Sequence, residues 1–253
     1  MRPFQRTSSR SLFDISHLRL ATLEITALPE LLRCLAVTGC VVTIDAMGCQ
    51  RAIAQQILDQ EGSCVLALKQ NQGSLHDEVQ LSFGTVQADD FVDVRHDAAT
   101  TVEKGHGRIE TRHAWVIYDA AVIAWLQEQH AWPGLQAIGR VQAERRIGTQ
   151  RTVDDRFYLL SRQLSARAFG EAVRNHWGIE NRVHWVLNVT FHEDQRRIRA
   201  GYAAENFAVL RHGPEGTPLN LLRQQTVKRK SIKGRRLKAA WDTDFLLQVL
   251  TSI

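Results

Sequence analysis

The chain has 253 residues, of which 44% are hydrophobic and 23% charged, and its formal net charge is +5. This length and composition suit the core of one large domain or two small ones, which excludes a wholly disordered protein. No stretch approaches the roughly 20 apolar residues of a membrane span, and the arginine-rich start has no compact apolar segment, so we expect no membrane partner, no signal peptide and a cytoplasmic location.

The predicted elements begin with a β-α-β unit. Residues 24–39 have leucines at helical spacing and end on Gly39, which predicts a helix. The apolar run 40–44 predicts a strand, residues 49–62 a second helix and residues 64–69 a second strand. Because both strands are almost continuously apolar, we expect parallel neighbours in a sheet that is covered on both faces.

Residues 85–162 change character and predict a β-rich insertion. Alternating polar and apolar residues break at Gly105 and Gly107, as they do in hairpins. The segments 134–148 and 156–162 also have the composition of strands. The sequence therefore predicts several antiparallel strands between two parts of an α/β core.

A long helix is predicted after the insertion, and a basic helical tail follows it. The helix covers residues 165–187, with Ser165 as its N-cap. Between Gly216 and Trp241 there is no acidic residue, and the basic residues are Arg223, Lys228, Arg229, Lys230, Lys233, Arg235, Arg236 and Lys238. Such a block suits a phosphate backbone, and the alternative is a solvated helix face or loop.

One carboxylate, Asp45, stands directly after the first predicted strand. In open α/β sheets, ligands gather at the carboxyl ends of parallel strands, where we expect Asp45 to lie. The alternative is that Asp45 only caps the helix that follows it.

A second carboxylate, Glu180, lies between two histidines of the long helix. His176, Glu180 and His184 are four residues apart and therefore share one helix face. A zinc site on this face is one alternative, but the His-Glu-x-x-His arrangement of zinc proteases is absent. Two carboxylates from distant segments suit Mg²⁺ better, since hard cations prefer oxygen ligands.

Several segments, in this order, resemble the transposases of bacterial insertion sequences. They are TIDAMGCQ, LALKQNQG, HGRIETR, RNHWGIENRVHW and IRAGYAAENFAVLRH. The resemblance extends from about Glu24 to the C-terminus and is greatest to the H-repeat-associated branch of the DDE class.

This resemblance implies an enzyme of DNA transposition, which cuts the ends of the element and joins them to target DNA. The family has an RNase H-like core in which three acids hold two Mg²⁺ ions. Asp45 matches the second acid and Glu180 the glutamate, so both are the predicted catalytic residues and metal ligands. The implied partner is DNA, with a homo-oligomer on the DNA and association with the nucleoid as further expectations.

The resemblance and the basic composition together give the predicted DNA contacts. Residues beside Glu180 in the signature either contact DNA phosphate or orient the glutamate, and for Trp177 core packing is an equal alternative. The predicted contacts are His176, Trp177, Asn181, Arg196, Arg197, Arg199, Lys228, Arg229, Lys230, Arg235 and Arg236.

The expected fold class is α/β, with a partial RNase H-like core, a β-rich insertion and a helical, basic C-terminal tail. Residues 24–84 and 163–212 form the predicted core, and residues 85–162 form the insertion. Residues 213–253 are the basic helical region. Residues 1–23 are divergent and a candidate for disorder.

The sequence departs from the family at the first acid. Relatives carry it in an Ile-Asp-Gly-Lys type segment, whereas residues 1–23 contain only Asp14, without that motif. Asn188 stands where relatives have aspartate, and Pro214 and Pro218 interrupt a helical stretch. We therefore expect an N-terminally truncated, catalytically impaired transposase. The alternatives are a non-catalytic DNA-binding remnant that interferes with full-length transposase, and a general RNase H-like nuclease.

Overall fold

The structure, a computed structural model, describes residues 12–14, 21–105, 107–179, 189, 202, 221–222 and 231–250. The chain divides into two compact units, Met1–His176 and Trp177–Ile253. No helix in these ranges is long and apolar enough to cross a membrane.

The elements up to Ile179 alternate between strands and helices before the chain turns into long hairpins. In chain order they are β1 Leu12–Asp14, α1 Ala21–Cys34, β2 Val41–Ile44, α2 Arg51–Asp59, β3 Ser63–Leu68, a 3-10 turn Gln70–Gln72, α3 Gly73–Ala88, β4 His96–Gly105, β5 Arg108–Ile117, α4 Ala120–His130, β6 Ala137–Ile147, β7 Gln150–Leu160 and α5 Ala166–Ile179. The predicted α/β class is confirmed.

One seven-stranded sheet joins these strands in the order β1-β2-β3-β7-β6-β5-β4. The first three strands are parallel, as predicted for β2 and β3, and the other pairs are antiparallel. The strand β7 pairs with β3, with Val65 opposite Leu160 and Leu68 opposite Phe157. The strands of the predicted insertion therefore extend the sheet that contains β2. This continuity of the sheet was not predicted from the sequence.

The core explains why the parallel strands are so apolar. All four residues of β2 are buried, because helices cover the sheet around it. Ile53 and Ile57 of α2 and Val79 and Phe83 of α3 are almost fully buried in the same cluster. Each such side chain contributes about 1.5–3 kcal/mol relative to exposure. This cluster fixes β2, and with it the position of the residue that follows the strand.

Two helices were not predicted from the sequence, α3 and α4. The helix α4 lies within the segment predicted to be rich in strands, and Leu126 is its one buried residue, so its apolar periodicity is weak. Its start is nevertheless well defined, because Asp119 Oδ1 accepts hydrogen bonds from the backbone nitrogens of Ala121 (3.0 Å) and Val122 (3.4 Å). The Asp119 side chain thus sets the start of a helix that the spacing of buried residues hardly indicates.

The start of α5 is capped twice. Ser165 Oγ accepts a hydrogen bond from the nitrogen of Ala168 (3.2 Å), which confirms Ser165 as the N-cap. The nitrogen of Ala166 also donates to Asp97 Oδ2 of β4 (2.8 Å). The long helix therefore begins at a position that is tied to the sheet.

The middle of α5 packs closely on the sheet. The ring of Phe169 lies over Gly139 of β6, where an added Cβ atom would be 2.5 Å from the ring carbon Cζ. The same ring meets Tyr158 of β7 edge to face, with centroids 5.3 Å apart. Further along, Arg174 forms an ion pair with Glu103 of β4. A glycine at position 139 is therefore what lets α5 approach this closely.

The second unit contains two described helices, α6 Ile232–Trp241 and α7 Thr243–Leu250. Their small core consists of Leu221, Leu222, Phe245 and Val249. Ser231 caps α6, since its Oγ accepts a hydrogen bond from the nitrogen of Gly234 (3.2 Å). The predicted helical tail is thus present in residues 232–241 and 243–250.

Candidate active site

Asp45 directly follows β2, at the carboxyl end of the parallel part of the sheet. It is half-buried, and Ile44, the last residue of β2, lies opposite Leu66, two residues before β3 ends at Leu68. Because β2 and β3 are parallel, their carboxyl ends lie at the same edge of the sheet, where ligands of such sheets bind. This is the position that the sequence predicted for Asp45.

The loop after Asp45 folds back onto its carboxylate. Asp45 Oδ1 accepts hydrogen bonds from the backbone nitrogens of Met47 (3.2 Å) and Gly48 (3.3 Å). A Cβ atom on Gly48 would overlap Ile44, so the loop lies tightly against the end of β2. In the described part of the chain, the other oxygen, Oδ2, accepts no hydrogen bond. One carboxylate oxygen is thus held in place, while the other has no hydrogen-bond partner among the described residues.

The alternative role of Asp45 as a cap for the next helix is wrong. The helix α2 begins at Arg51, and Gln50 occupies its N-cap position without a side-chain hydrogen bond. The carboxylate of Asp45 instead binds two nitrogens inside the preceding loop. The residue therefore orders the loop and not the helix.

Two amide side chains from the turn after β3 bind the same loop. Asn71 Nδ2 donates to the carbonyl oxygen of Ala46 (2.6 Å), and Gln72 Nε2 donates to that of Cys49 (2.7 Å). Both residues lie in the segment LALKQNQG, and no role was predicted for them from the sequence. The signal that could have found them is their place directly after a strand parallel to β2.

His176 of α5 contacts β2 close to Asp45. Its Nδ1 is hydrogen-bonded to Thr43 Oγ1 at 3.3 Å, and the two side chains are 7% and 2% exposed. Thr43 is the last residue but one of β2 and precedes Asp45 by two positions, so the contact lies beside the end of this strand. Burial of His176 favours an orienting role over a direct contact with DNA phosphate.

The first strand brings another aspartate to this edge. In the parallel pair β1 and β2, Leu12 is opposite Val41 and Asp14 is opposite Thr43. The backbone of Asp14 therefore lies beside Thr43, two positions before Asp45, although the sequence around Asp14 lacks the family motif.

Most of the other predicted site residues lie outside the described residues, and their roles stay predictions. They are Glu180, Asn181, Arg196, Arg197, Arg199, Lys228, Arg229 and Lys230. The departures noted at Asn188, Pro214 and Pro218 also fall there. Trp177 is described, and it is half-buried on α5.

Two predicted DNA contacts lie on α6. Arg235 Nη1 donates a hydrogen bond to the carbonyl oxygen of Leu222 (2.9 Å), so this arginine braces the small core of the tail. Arg236 is half-buried. Lys238 forms an ion pair with Asp242 (3.2 Å), which offsets part of the positive charge of the helix.

The described residues do not form a metal site by themselves, and Glu180 and His184 of the zinc alternative lie outside the described residues. Within the described ranges, no three His, Cys, Asp or Glu residues form a group that could hold a metal ion. Burial, and then the nearby Cys64 and Asp45, raise the pKa of the Cys49 thiol to about 12, so this sulfur stays protonated and is a poor metal ligand. The open oxygen of Asp45 is the hard ligand that Mg²⁺ prefers.

Comparison with protein families gives one match over most of the chain. The profile of the family described as "Transposase DDE domain" matches residues 22–213. This range begins before β2 and includes Asp45, the hairpins, His176 and Glu180. It does not include Asp14.

Curated relatives from Escherichia coli are similar over 90% of this chain. The "Putative protein YbfL" of strain K12 is 37% identical over 234 residues, and the "H repeat-associated putative transposase YhhI" of the same strain is 36% identical over 234 residues. The "Putative transposase YncI" of strain O157:H7 is 36% identical over 232 residues. The chain spans 57–59% of the length of these relatives.

Proposed function

This chain belongs to the DDE transposase family, in its H-repeat-associated branch, and on that premise we propose that it binds insertion-sequence DNA and holds Mg²⁺ with Asp45 and Glu180. We further propose that its DNA cleavage and strand transfer are impaired, because its sequence has no segment that matches the motif of the first acid. The family implies DNA as substrate and divalent metal in general. The two ligands and the impairment are specific to this proposal.

The observation that carries the pairing is the contact between His176 and Thr43. Glu180 follows His176 by four residues, and Asp45 follows Thr43 by two. The hydrogen bond between His176 and Thr43 joins positions that are 133 residues apart in sequence. It therefore brings the strand that ends before Asp45 close to the helix that precedes Glu180. This supports a shared site at the end of β2.

Each residue has a role in this proposal. Asp45 binds the cation through its open oxygen, while its other oxygen holds the loop in place. Glu180 supplies the second carboxylate, and His176 orients the helix that leads to it. Asp45 and Glu180 would hold the Mg²⁺, and the bound metal would supply activation of a water or 3′-hydroxyl and stabilisation of the leaving oxygen at a scissile phosphate. Asn181 and Trp177 flank Glu180 in sequence and are proposed to meet the DNA.

The proposed DNA-binding surface draws on the basic residues after the glutamate. They are Arg196, Arg197, Arg199, Lys228, Arg229, Lys230, Arg235 and Arg236. Arginine and lysine neutralise phosphates and release condensed counterions, so affinity does not depend on sequence at these contacts. A homo-oligomer bound to the ends of the element is part of the same proposal.

We expect the chain to bind DNA with a steep dependence on salt. The logarithm of the binding constant should fall linearly with the logarithm of the salt concentration, by about 0.9 per phosphate contacted. Replacing Lys228, Arg229 and Lys230 together by alanine should reduce that slope by about 2–3. Fluorescence anisotropy with a labelled duplex at several salt concentrations measures both slopes.

The matched control is Arg33→Ala, which removes an exposed positive charge from α1, where Arg33 pairs with Glu30. The control should bind DNA as the wild type does. A triple variant with an unchanged slope would exclude residues 228–230 from the DNA-binding surface.

The alternative function is a non-catalytic DNA-binding protein that interferes with full-length transposases. The absence of the first acid's motif favours it, because the resemblance implies three acids that hold the two metals. Both functions require DNA binding, and they differ in whether phosphodiester bonds are broken.

A further inference from the structure

We propose that Asn71 and Gln72 are positioning residues that aim the Asp45 carboxylate at the divalent cation. This inference rests on the proposed metal site and adds two residues to it that do not touch the metal or the DNA phosphate themselves. They act through the loop 45–50, which we call the Asp45 loop.

The hydrogen bonds of the two amides bracket the atoms that orient Asp45. Asn71 binds the carbonyl oxygen of Ala46, and Gln72 binds that of Cys49. Between these carbonyls lie the nitrogens of Met47 and Gly48, which donate to Asp45 Oδ1. The conformation that presents the open oxygen is therefore held on both sides by donors from another segment.

The turn that carries the amides is itself well placed. Gln70–Gln72 form a 3-10 turn directly after β3, closed by a hydrogen bond from the nitrogen of Gln72 to the carbonyl oxygen of Lys69 (3.0 Å). Because β3 is parallel to β2, its exit leads to the same edge as the Asp45 loop. The two contacts bridge 25 and 23 residues of sequence, so the loop does not make them by local folding alone.

A purely structural role is the competing explanation. Asn71 is exposed and Gln72 half-buried, so water can replace much of either hydrogen bond when the amide is removed. The effect on overall stability should therefore be small. The effect on metal affinity should be larger, because residues that orient a metal ligand typically change affinity by about 10–100-fold when removed. This difference in size separates the two roles.

The test measures Mg²⁺ binding by isothermal titration calorimetry to the wild type, Asp45→Asn, Asn71→Ala and Gln72→Ala. Gln70→Ala is the matched control. Gln70 lies in the same turn, and its side chain makes no hydrogen bond to another described residue. We expect Asn71→Ala and Gln72→Ala each to weaken Mg²⁺ binding by at least about tenfold. Their urea midpoints should stay close to that of the control, whose affinity should equal that of the wild type.

A second readout does not depend on metal. Amide hydrogen exchange at Met47 and Gly48 should become faster in Asn71→Ala and Gln72→Ala but not in Gln70→Ala. Wild-type affinity together with wild-type exchange in both amide variants would overturn the inference. If neither the wild type nor Asp45→Asn binds Mg²⁺, the proposed metal site fails. Faster exchange in the amide variants would then still support their hold on the Asp45 loop, and unchanged exchange would overturn that as well.

Discussion

The Phe169→Ala variant is expected to lose about 3–5 kcal/mol of unfolding free energy. Phe169 is fully buried, at 0% exposure, and its ring fills the space over Gly139 that no Cβ occupies. The ring also meets Tyr158 edge to face. Removing it leaves a cavity between α5 and the sheet, which the glycine cannot fill. The variant should also weaken the contact of His176 with Thr43, because α5 carries both Phe169 and His176.

The measurement is urea unfolding followed by circular dichroism. Leu81→Ala is the control, since Leu81 lies on α3 and is 65% exposed, and its loss should change the free energy by no more than about 0.5 kcal/mol. Equal effects of the two substitutions would mean that α5 does not pack on the sheet as described.

The second large effect is the absence of DNA cleavage. With Mg²⁺, the purified 253-residue chain is expected to leave supercoiled plasmid intact. Metal-ion catalysis supplies several kcal/mol of transition-state stabilisation, and each 1.36 kcal/mol is a factor of ten in rate. On the proposal that Asp45 and Glu180 act without the first acid of the family, cleavage should therefore be slower by about a thousandfold or more. A full-length relative that nicks the same plasmid provides the positive control.

The register of β1 makes this assay more informative. The backbone of Asp14 lies opposite Thr43, two positions before Asp45. Nicking by the wild type that disappears in Asp45→Ala would contradict the proposed impairment. Loss of that activity in Asp14→Asn as well would identify Asp14 as the third carboxylate. Nicking that persists in Asp45→Ala would reveal a contaminating nuclease.

The parts of the fold that could be predicted are those set by local sequence. The apolar runs of β2 and β3 marked buried parallel strands, and Ser165 marked the start of α5 because a cap acts within one turn. The helix α4 was not predicted, because Leu126 is the only fully buried residue on it and gives no helical spacing. The pairing of β7 with β3 joins residues that are far apart in sequence, for example Val65 and Leu160. Just beyond this pair, the hydrogen bond between Cys64 and Ser161 spans 97 positions. No local pattern specifies such a pairing.

The candidate site was only partly predictable for the same reason. Asp45 could be found because it follows an apolar run and lies in the segment TIDAMGCQ, which resembles the family. Asn71, Gln72 and Thr43 act through contacts with other segments, and their residue types alone are common in turns and strands. Sequence spacing gave the possible ligands but not the groups that hold them in place.

The most direct test of the proposed site is a calorimetric titration with Mg²⁺ of the wild type, Asp45→Asn and Glu180→Gln, with Asp59→Asn as the matched control. Asp59 is an exposed aspartate on α2 that accepts a hydrogen bond from Gln55 at 2.8 Å, away from the Asp45 loop. We predict that the wild type and Asp59→Asn bind Mg²⁺ alike, and that Asp45→Asn and Glu180→Gln each lose about tenfold or more in affinity. Binding by Asp45→Asn that equals that of the wild type would show that the cation is held elsewhere.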